Sequence, residues 1–440
     1  MNDTHLRASL EQKPITEGTL EDLHELLQAA CNLELWTLPL YLTALASIRE
    51  DRSSVPLPAP LRDKLQGRQH DSTVTRLVLS VALQEMYHLQ LAGNLTRIFG
   101  QVPRLDWPRY DGGIPYIHPQ PSGLTVKLGK VTDPDVVAVM VAVETPDDYA
   151  SGNLAPEAPD VPAYGTIDTL NGQPAYPSIG ALYSVIVQLA DRFRGAMNAG
   201  APQLANGLFS LWYDHTGLIN PSSFDDAANI IVDQGEGAIG SQFAPVNASD
   251  ALPDQRALKD PFFAENHWSH LERFERVQSN AARNVLTWPT NAASDASPQQ
   301  VLSVLFSALL QGMREGWAGG KPDLRPMFLL RAALAQVYRS GQIPHFASVD
   351  GSVGFEDAVE ALAPAQGACW SEHVQWFFAL TDIAAMKANA VREPDLGDHA
   401  SVRQHQDAVL QTVQGEQMPP GELNRWLMAQ VASFRSWDGS

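Results

Sequence analysis

The feature that most constrains this chain is a long apolar helix with a carboxylate set into its core stripe. Residues 19–49 read as one helix, because apolar positions recur at Leu23, Leu27, Ala30, Thr37, Tyr41, Ala44 and Ile48 in steps of three, four or seven. The same stripe passes through Glu34. A carboxylate there is costly unless it is paired, bound to a metal, or close enough to the stripe's edge to reach water. The helix alone leaves these readings open. Pro39, inside the same helix, frees the carbonyl of Leu35 and suggests a kink near the carboxylate.

Residues 72–99 read as a second helix, stopped by Gly100 with Pro103 beyond it. Its stripe runs Val78, Val81, Ala82, Glu85, Leu89 and Ala92, with His88 on the same face as Glu85. In a helical bundle a Glu-x-x-His pair lets one carboxylate bridge two metals while the imidazole completes one of them. On its own the pattern also describes an ordinary surface pair. A third helix, opened by Pro261 after an Asp260 cap and running to about 283, has the stripe Phe263, His267, His270, Phe274 and Val277. Two histidines one turn apart on an inward face read either as ligands or as satisfied core residues. Ser223 and Asp226 look like a capping box for a helix over 224–235, which ends in Gln234-Gly235-Glu236-Gly237. Glu236, between two glycines, can approach a site closely or belong to a plain turn.

Oxygen and imidazole donors of this kind suit iron, manganese or zinc. No thiolate cluster competes, since the only cysteines are Cys31 and Cys369, and Cys31 reads as a buried structural thiol. Tyr41, Tyr87 and Trp268 are read as core packing, and His24, His215 and His373 as structural or surface residues. The sequence has no glycine-rich phosphate loop, no G-x-S-x-G elbow and no Cys-x-x-Cys pair.

The rest of the chain reads as helices joined by long inserts. Residues 101–133 are a Pro- and Gly-rich loop, and 134–145 is ambiguous between strand and helix, with valines against Asp133-Pro134. A second rich insert spans 146–177, Ser178 can cap a helix over 179–198 with no inward carboxylate, and 237–259 is loop. The best linker is 286–298, followed by amphipathic helices near 299–316, 325–339, 370–392 and 420–435. The expected class is all-α, with a main domain over 1–290 and a helical C-terminal region over 291–440. At 440 residues, 44% hydrophobic and 18% charged, the chain can bury a sizeable core. A net charge of −20 argues against nucleic acid and anionic membranes as main partners. No apolar run is long enough to span a membrane and the polar N-terminal stretch has no hydrophobic core, so neither a span nor a signal peptide is expected. With few cysteines, the expected location is the cytoplasm.

Six runs occur in order over residues 18–285: LEDLHELLQAACNLELWTLPLYLTALASI, QEMYHLQLAGNLTRIFGQVPRL, AVETPDD, SIGALY, DQGEGA and HWSHLERFERV. Together they resemble the ferritin-like family related to iminophenyl-pyruvate dimer synthases, the proteins of bisindole pigment pathways and their bacterial relatives. The resemblance implies a ferritin-like helical bundle with long inserts and a helical C-terminal region. It carries the family's metal-ligand motifs onto Glu34, Glu85, His88, Glu144, Glu236 and His270. Two positions depart from the family pattern, which often has an acidic residue at Ala181 and a Glu at His267. The second motif therefore reads His267-Trp268-Ser269-His270, so that either His267 is a substitute ligand or one coordination place is empty. The resemblance implies an oxidase or oxygenase that uses dioxygen on a small molecule such as an amino acid or a derived imine. Di-iron is the expected cofactor, with manganese, zinc or copper as alternatives, and a homo-oligomer is compatible with it. The alternative is a non-catalytic metal-binding or structural relative with an altered site. The long additional regions and haem association of the large pigment-pathway enzymes have no sign in this sequence.

Overall fold

Helix α1 (Leu20–Ala46) forms where the apolar stripe predicts it. Thr19 starts it with a capping box: its Oγ1 accepts the Asp22 N–H at 3.2 Å, and the Asp22 carboxylate accepts the Thr19 N–H at 2.5 Å. Every side chain from Ala29 to Ala46 is buried, so α1 is enclosed on all sides, and its stripe understates its burial. The computed structural model describes residues 10–51, 74–118, 124–146, 165–204, 217–236, 269–291, 297–320, 322 and 326–346.

The remaining described helices are α2 (Val74–Ile98), α3 (Pro134–Val143), α4 (Ile179–Arg192), α5 (Phe224–Gly235), α6 (His270–Asn284), α7 (Ser297–Trp317) and α8 (Pro326–Arg339). The ambiguous 134–145 segment is helical, because the Asp133 side chain accepts the Asp135 N–H and Pro134 occupies the first turn. Helix α4 stops short of 198, since Phe193 leaves the helical region at φ −115° and a 3₁₀ turn, Arg194–Ala196, follows. The capping box expected at Ser223 does not form; its Oγ instead accepts the Asn220 N–H at 3.0 Å. Helix α6 does not run through from 261. Ser269 is an extended N-cap (φ −63°, ψ 167°) in a capping box with Glu272, so His270 heads its helix. His267 lies outside the described residues, as do His215, His373, Cys369, Trp268 and the helices expected at 370–392 and 420–435.

Among the described residues, two small sheets tie the helix ends. Strands β1 (Glu11–Pro14), β3 (Thr166–Leu170) and β4 (Gln173–Pro174) are antiparallel, the β3–β4 turn using the positive φ of Asn171 and Gly172. Strand β2 (Ile48–Asp51) pairs with β5 (Val285–Thr287). The chain thus leaves the helix before 49, and the first residues of the expected linker are a strand. β-branched Ile48, Val285 and Thr287 suit this pairing, which also satisfies backbone groups at the end of α1.

Helices α1 and α2 form the most extensive pair; α4 packs on α1, α5 on α2 and α4, and α6 on α2 and α3. The α7–α8 hairpin lies against the same bundle, α8 on α1 and α7 on α2. Trp317 anchors it: fully buried, its Nε1 donates to Asn94 Oδ1 at 2.9 Å, and its ring lies so close to Gly93 that a Cβ there would meet it at 2.0 Å. One hydrophobic core therefore runs from Ile15 to Tyr338. Among the described residues, no helix is long and apolar enough to cross a membrane.

Candidate metal centre

The centre of the bundle is polar. Glu34 comes from α1, Glu85 and His88 from α2, Glu144 from the C-cap of α3, and His270 from the first turn of α6; each is at most 1% exposed. Ligand atoms of Glu85, His88 and His270 lie within 4.8 Å of one another, a group that could hold a metal ion. Glu85 Oε1 is 3.2 Å from His88 Nδ1 and 2.9 Å from His270 Nδ1, so it sits between the two imidazoles. Glu34 Oε2 is 3.8 Å from His88 Nδ1, and Glu144 Oε2 is 3.5 Å from His270 Nδ1. The histidine rings stack 5.3 Å apart at 25°. The arrangement is paired: one terminal carboxylate and one imidazole on each side of a shared carboxylate.

A surrounding layer holds these groups. Tyr183 OH donates to Glu34 Oε1 at 2.8 Å, Tyr41 OH donates to Glu144 Oε1, and Thr37 Oγ1 donates to Glu85 Oε2 at 2.6 Å. His88 Nε2 meets Gln234 Oε1 at 2.8 Å and His270 Nε2 meets Gln84 Oε1 at 2.9 Å, leaving both Nδ1 atoms toward the carboxylates. None of these partners was identified from the sequence. Thr37 and Tyr41 share the stripe of Glu34, and Gln84 precedes Glu85, which are the only local hints. Tyr41 is thus more than core packing. Cys31 faces Thr96, its Sγ 3.3 Å from Oγ1, and burial pushes its thiol up to about 12. His24 touches the Phe99 carbonyl and Gln101, away from the centre.

Glu236 stands slightly apart. It is buried at the C-cap of α5, and its Oε1 accepts the Gly180 N–H at 2.5 Å, near the start of α4. A Cβ at Gly180 would meet Glu236 Oε2 at 2.4 Å, so glycine is what lets the carboxylate dock there. The next glycine, Gly235, brings this turn against Glu144, whose Oε2 would be 2.9 Å from a Cβ. Ala181, small and beside Gly180, offers no carboxylate to the site.

The electrostatics show what the pocket lacks. Burial pushes the Glu34 carboxyl well above its usual range; neighbouring Glu85 adds to this, and His88 and Tyr183 each oppose it more weakly. Burial acts the same way on Glu85, but His88 and His270 outweigh it and hold that carboxyl well below the usual range. Burial pulls His270 down, yet Glu144 and Glu85 reverse this and its imidazole is raised. Burial and adjacent carboxylates keep Tyr41 and Tyr183 as neutral donors. The pocket therefore keeps a proton on Glu34 and a charge on Glu85. Glu144 is moreover at the C-terminal, partially negative end of α3. Among the described residues, buried His270 Nδ1, 2.9 Å from Glu85 Oε1, and buried Glu144 Oε2 make no well-aligned hydrogen bond. Orphaned donor atoms of nitrogen and oxygen around a shared carboxylate fit a divalent cation, which would take the place of the Glu34 proton.

A family model described as ferritin-like matches residues 27–279, which contain every residue of this centre. A comparison with curated proteins finds no match. Among solved structures, a ferritin-like protein from Caulobacter vibrioides is similar at 22% identity and a TM-score of 0.52, over 75% of this chain and 99% of that one. At that identity the likeness speaks for the fold, and it agrees with the bundle of α1, α2 and α4–α6 around the buried carboxylates. The family match covers more than half of the chain, and on it the chain belongs to the ferritin-like family.

Proposed function

We propose that this chain is a metal-dependent oxidase or oxygenase of the dimetal type, acting on a small molecule such as an amino acid or an imine derived from one. The observation that carries the reading is the convergence of Glu85, His88 and His270 inside a sealed core, with Glu34 and Glu144 on either side. Glu34 with His88 would hold one metal, Glu144 with His270 the other, and Glu85 would bridge them. Glu236, docked on Gly180 at the turn that Gly235 brings against Glu144, would be the further carboxylate to join. Iron is the expected metal, with manganese, zinc or copper as alternatives; bound there, it would supply the one-electron steps that dioxygen chemistry needs. The chain's own residues exclude water, hold the imidazoles by Nε2, and keep protons at the phenols of Tyr41 and Tyr183, each donated to a terminal carboxylate.

The test is metal analysis of natively purified protein, followed by dioxygen uptake of the iron-loaded protein with and without amino acids. Iron at about two ions per chain with substrate-dependent uptake supports the proposal. A second reading, a metal-binding relative without catalysis, is favoured by one observation: Ser269 starts α6 at His270, so the family's i, i+3 pair on one helix is not formed there. Bound zinc with no dioxygen uptake would favour that reading, and no metal at all would leave a structural relative with an altered site.

A further inference from the structure

A glutamine amide can be turned over with little change in shape, so its oxygen and nitrogen must be assigned from their partners. At Gln84 the assignment is forced. Arg273 Nη1 lies 2.6 Å from Gln84 Oε1, and a guanidinium only donates, so the atom facing it is the oxygen. The same oxygen lies 2.9 Å from His270 Nε2, and it can only accept there. Nε2 must then carry the hydrogen, which in the neutral ring leaves Nδ1 as a bare lone pair. Nδ1 is the atom that faces Glu85 Oε1 at 2.9 Å and Glu144 Oε2 at 3.5 Å. Arg273 is itself fixed, only 2% exposed and bonded through the same Nη1 to Ser80 Oγ at 2.9 Å. Ser80 and Gln84 are one turn apart on α2, as His270 and Arg273 are on α6, so two helix faces form the clamp.

The other imidazole has no such clamp. Gln234 Oε1 lies 2.8 Å from His88 Nε2, but among the described residues no guanidinium or ammonium holds that amide. Turned over, Gln234 would donate to Nε2 and leave the hydrogen on Nδ1, beside Glu34 and Glu85.

We infer that Gln84, clamped by Arg273, is a positioning residue that commits His270 to coordinate through Nδ1 and makes its metal position the tighter of two; this rests on the metal-centre reading above. With its Nε2 hydrogen fixed, His270 has only to release a proton held on Nδ1, whereas His88 must also choose its tautomer as the metal arrives.

The experiment uses the full chain, freed of metal, with cobalt(II) as the probe, read by its visible absorption and by competition with a chelating indicator. The wild type should take cobalt(II) in two separable steps. Gln84→Leu should weaken the tighter step by about 10–100-fold, the usual effect of losing such a partner, and leave the weaker step in place. Gln84→Glu keeps an acceptor for both His270 and Arg273 and should restore the tighter step, which a merely structural role would not require. Gln234→Leu should weaken the other step. Nitrogen NMR of histidine-labelled, metal-free wild type, at a pH where the ring is neutral, should show His270 with its hydrogen on Nε2. A hydrogen on Nδ1, or a folded Gln84→Leu with both cobalt affinities unchanged, would overturn the inference. If Gln84→Leu does not fold, the wild-type tautomer and Gln84→Glu decide it. If the wild type binds no cobalt(II), the metal reading fails, and the tautomer still decides whether Gln84 positions His270.

Discussion

Glu34→Gln and Glu85→Gln make the same change in the same pocket, yet they are expected to differ by about 3 kcal/mol in the metal-free protein. Glu34 carries its proton when buried, and its nearest imidazole nitrogen is 3.8 Å away, beyond hydrogen-bond range. Its main partner is the Tyr183 hydroxyl at 2.8 Å, which an amide oxygen can accept equally well. The exchange should cost less than about 1 kcal/mol, the net worth of one hydrogen bond. Glu85 is ionised between two imidazole nitrogens at 3.2 and 2.9 Å and also accepts from Thr37. Removing one member of a buried ion pair costs about 3–5 kcal/mol, because the partner charge stays behind.

The pH dependence separates the two further. Glu34 has a raised folded pKa, so its contribution is complete below the ordinary carboxylate range and is lost as pH rises through the folded value. Glu85 has a lowered one, so its contribution is complete above the ordinary range and is lost as pH falls toward the folded value. Glu34→Gln should therefore flatten the alkaline side of the stability profile, and Glu85→Gln the acid side. Urea unfolding followed by circular dichroism, with chelator present and across pH, measures both. A Glu34→Gln loss as large as that of Glu85→Gln would mean that Glu34 is an ionised partner of His88 and would refute the reasoning.

Three further outcomes follow from the packing. Gly93→Ala places a Cβ 2.0 Å from the Trp317 ring and should cost about 1–3 kcal/mol, with a change in tryptophan fluorescence; unchanged stability would show that α7 is not held against α2 there. Asp233, which burial raises to about 7, has an Oδ1 without a hydrogen bond among the described residues, and its contribution is lost as pH rises from the ordinary range through 7. Asp233→Asn should thus stabilise the protein by about 1 kcal/mol above pH 7 and little below the ordinary carboxylate range, as measured by urea unfolding at both. In a Cys369→Ser background, the buried Cys31 thiol, pushed up to about 12, should resist a thiol reagent in the native state and react fully in denaturant; rapid native labelling would contradict its burial.

Which residues make the centre was largely legible in the sequence, because a carboxylate or imidazole on an apolar stripe is a local anomaly. Glu34, Glu85, His88 and His270 announce themselves by helical periodicity alone, and Glu144 and Glu236 entered through the resemblance. The helix start at Ser269 is hidden in the sequence although Ser-x-x-Glu is a capping signal, since the stripe from Phe263 continues through it in register. The strands β2 and β5 look locally like a helix end and a linker because each needs the other, more than two hundred residues away, to satisfy its backbone. The same holds for the second layer of the site. Tyr183 reaches Glu34 across 149 residues, Gln234 reaches His88 across 146, and Gln84 reaches His270 across 186. No period in the chain marks such partners, because only the packing of one helix on another brings them together. Local hydrophobic patterning therefore determined most of the helices and four of the candidate ligands, Glu34, Glu85, His88 and His270. Tertiary packing alone decided the protonation of Glu34, the tautomer of His270 and the sharing of Glu85, since each depends on burial and on charges contributed by other helices.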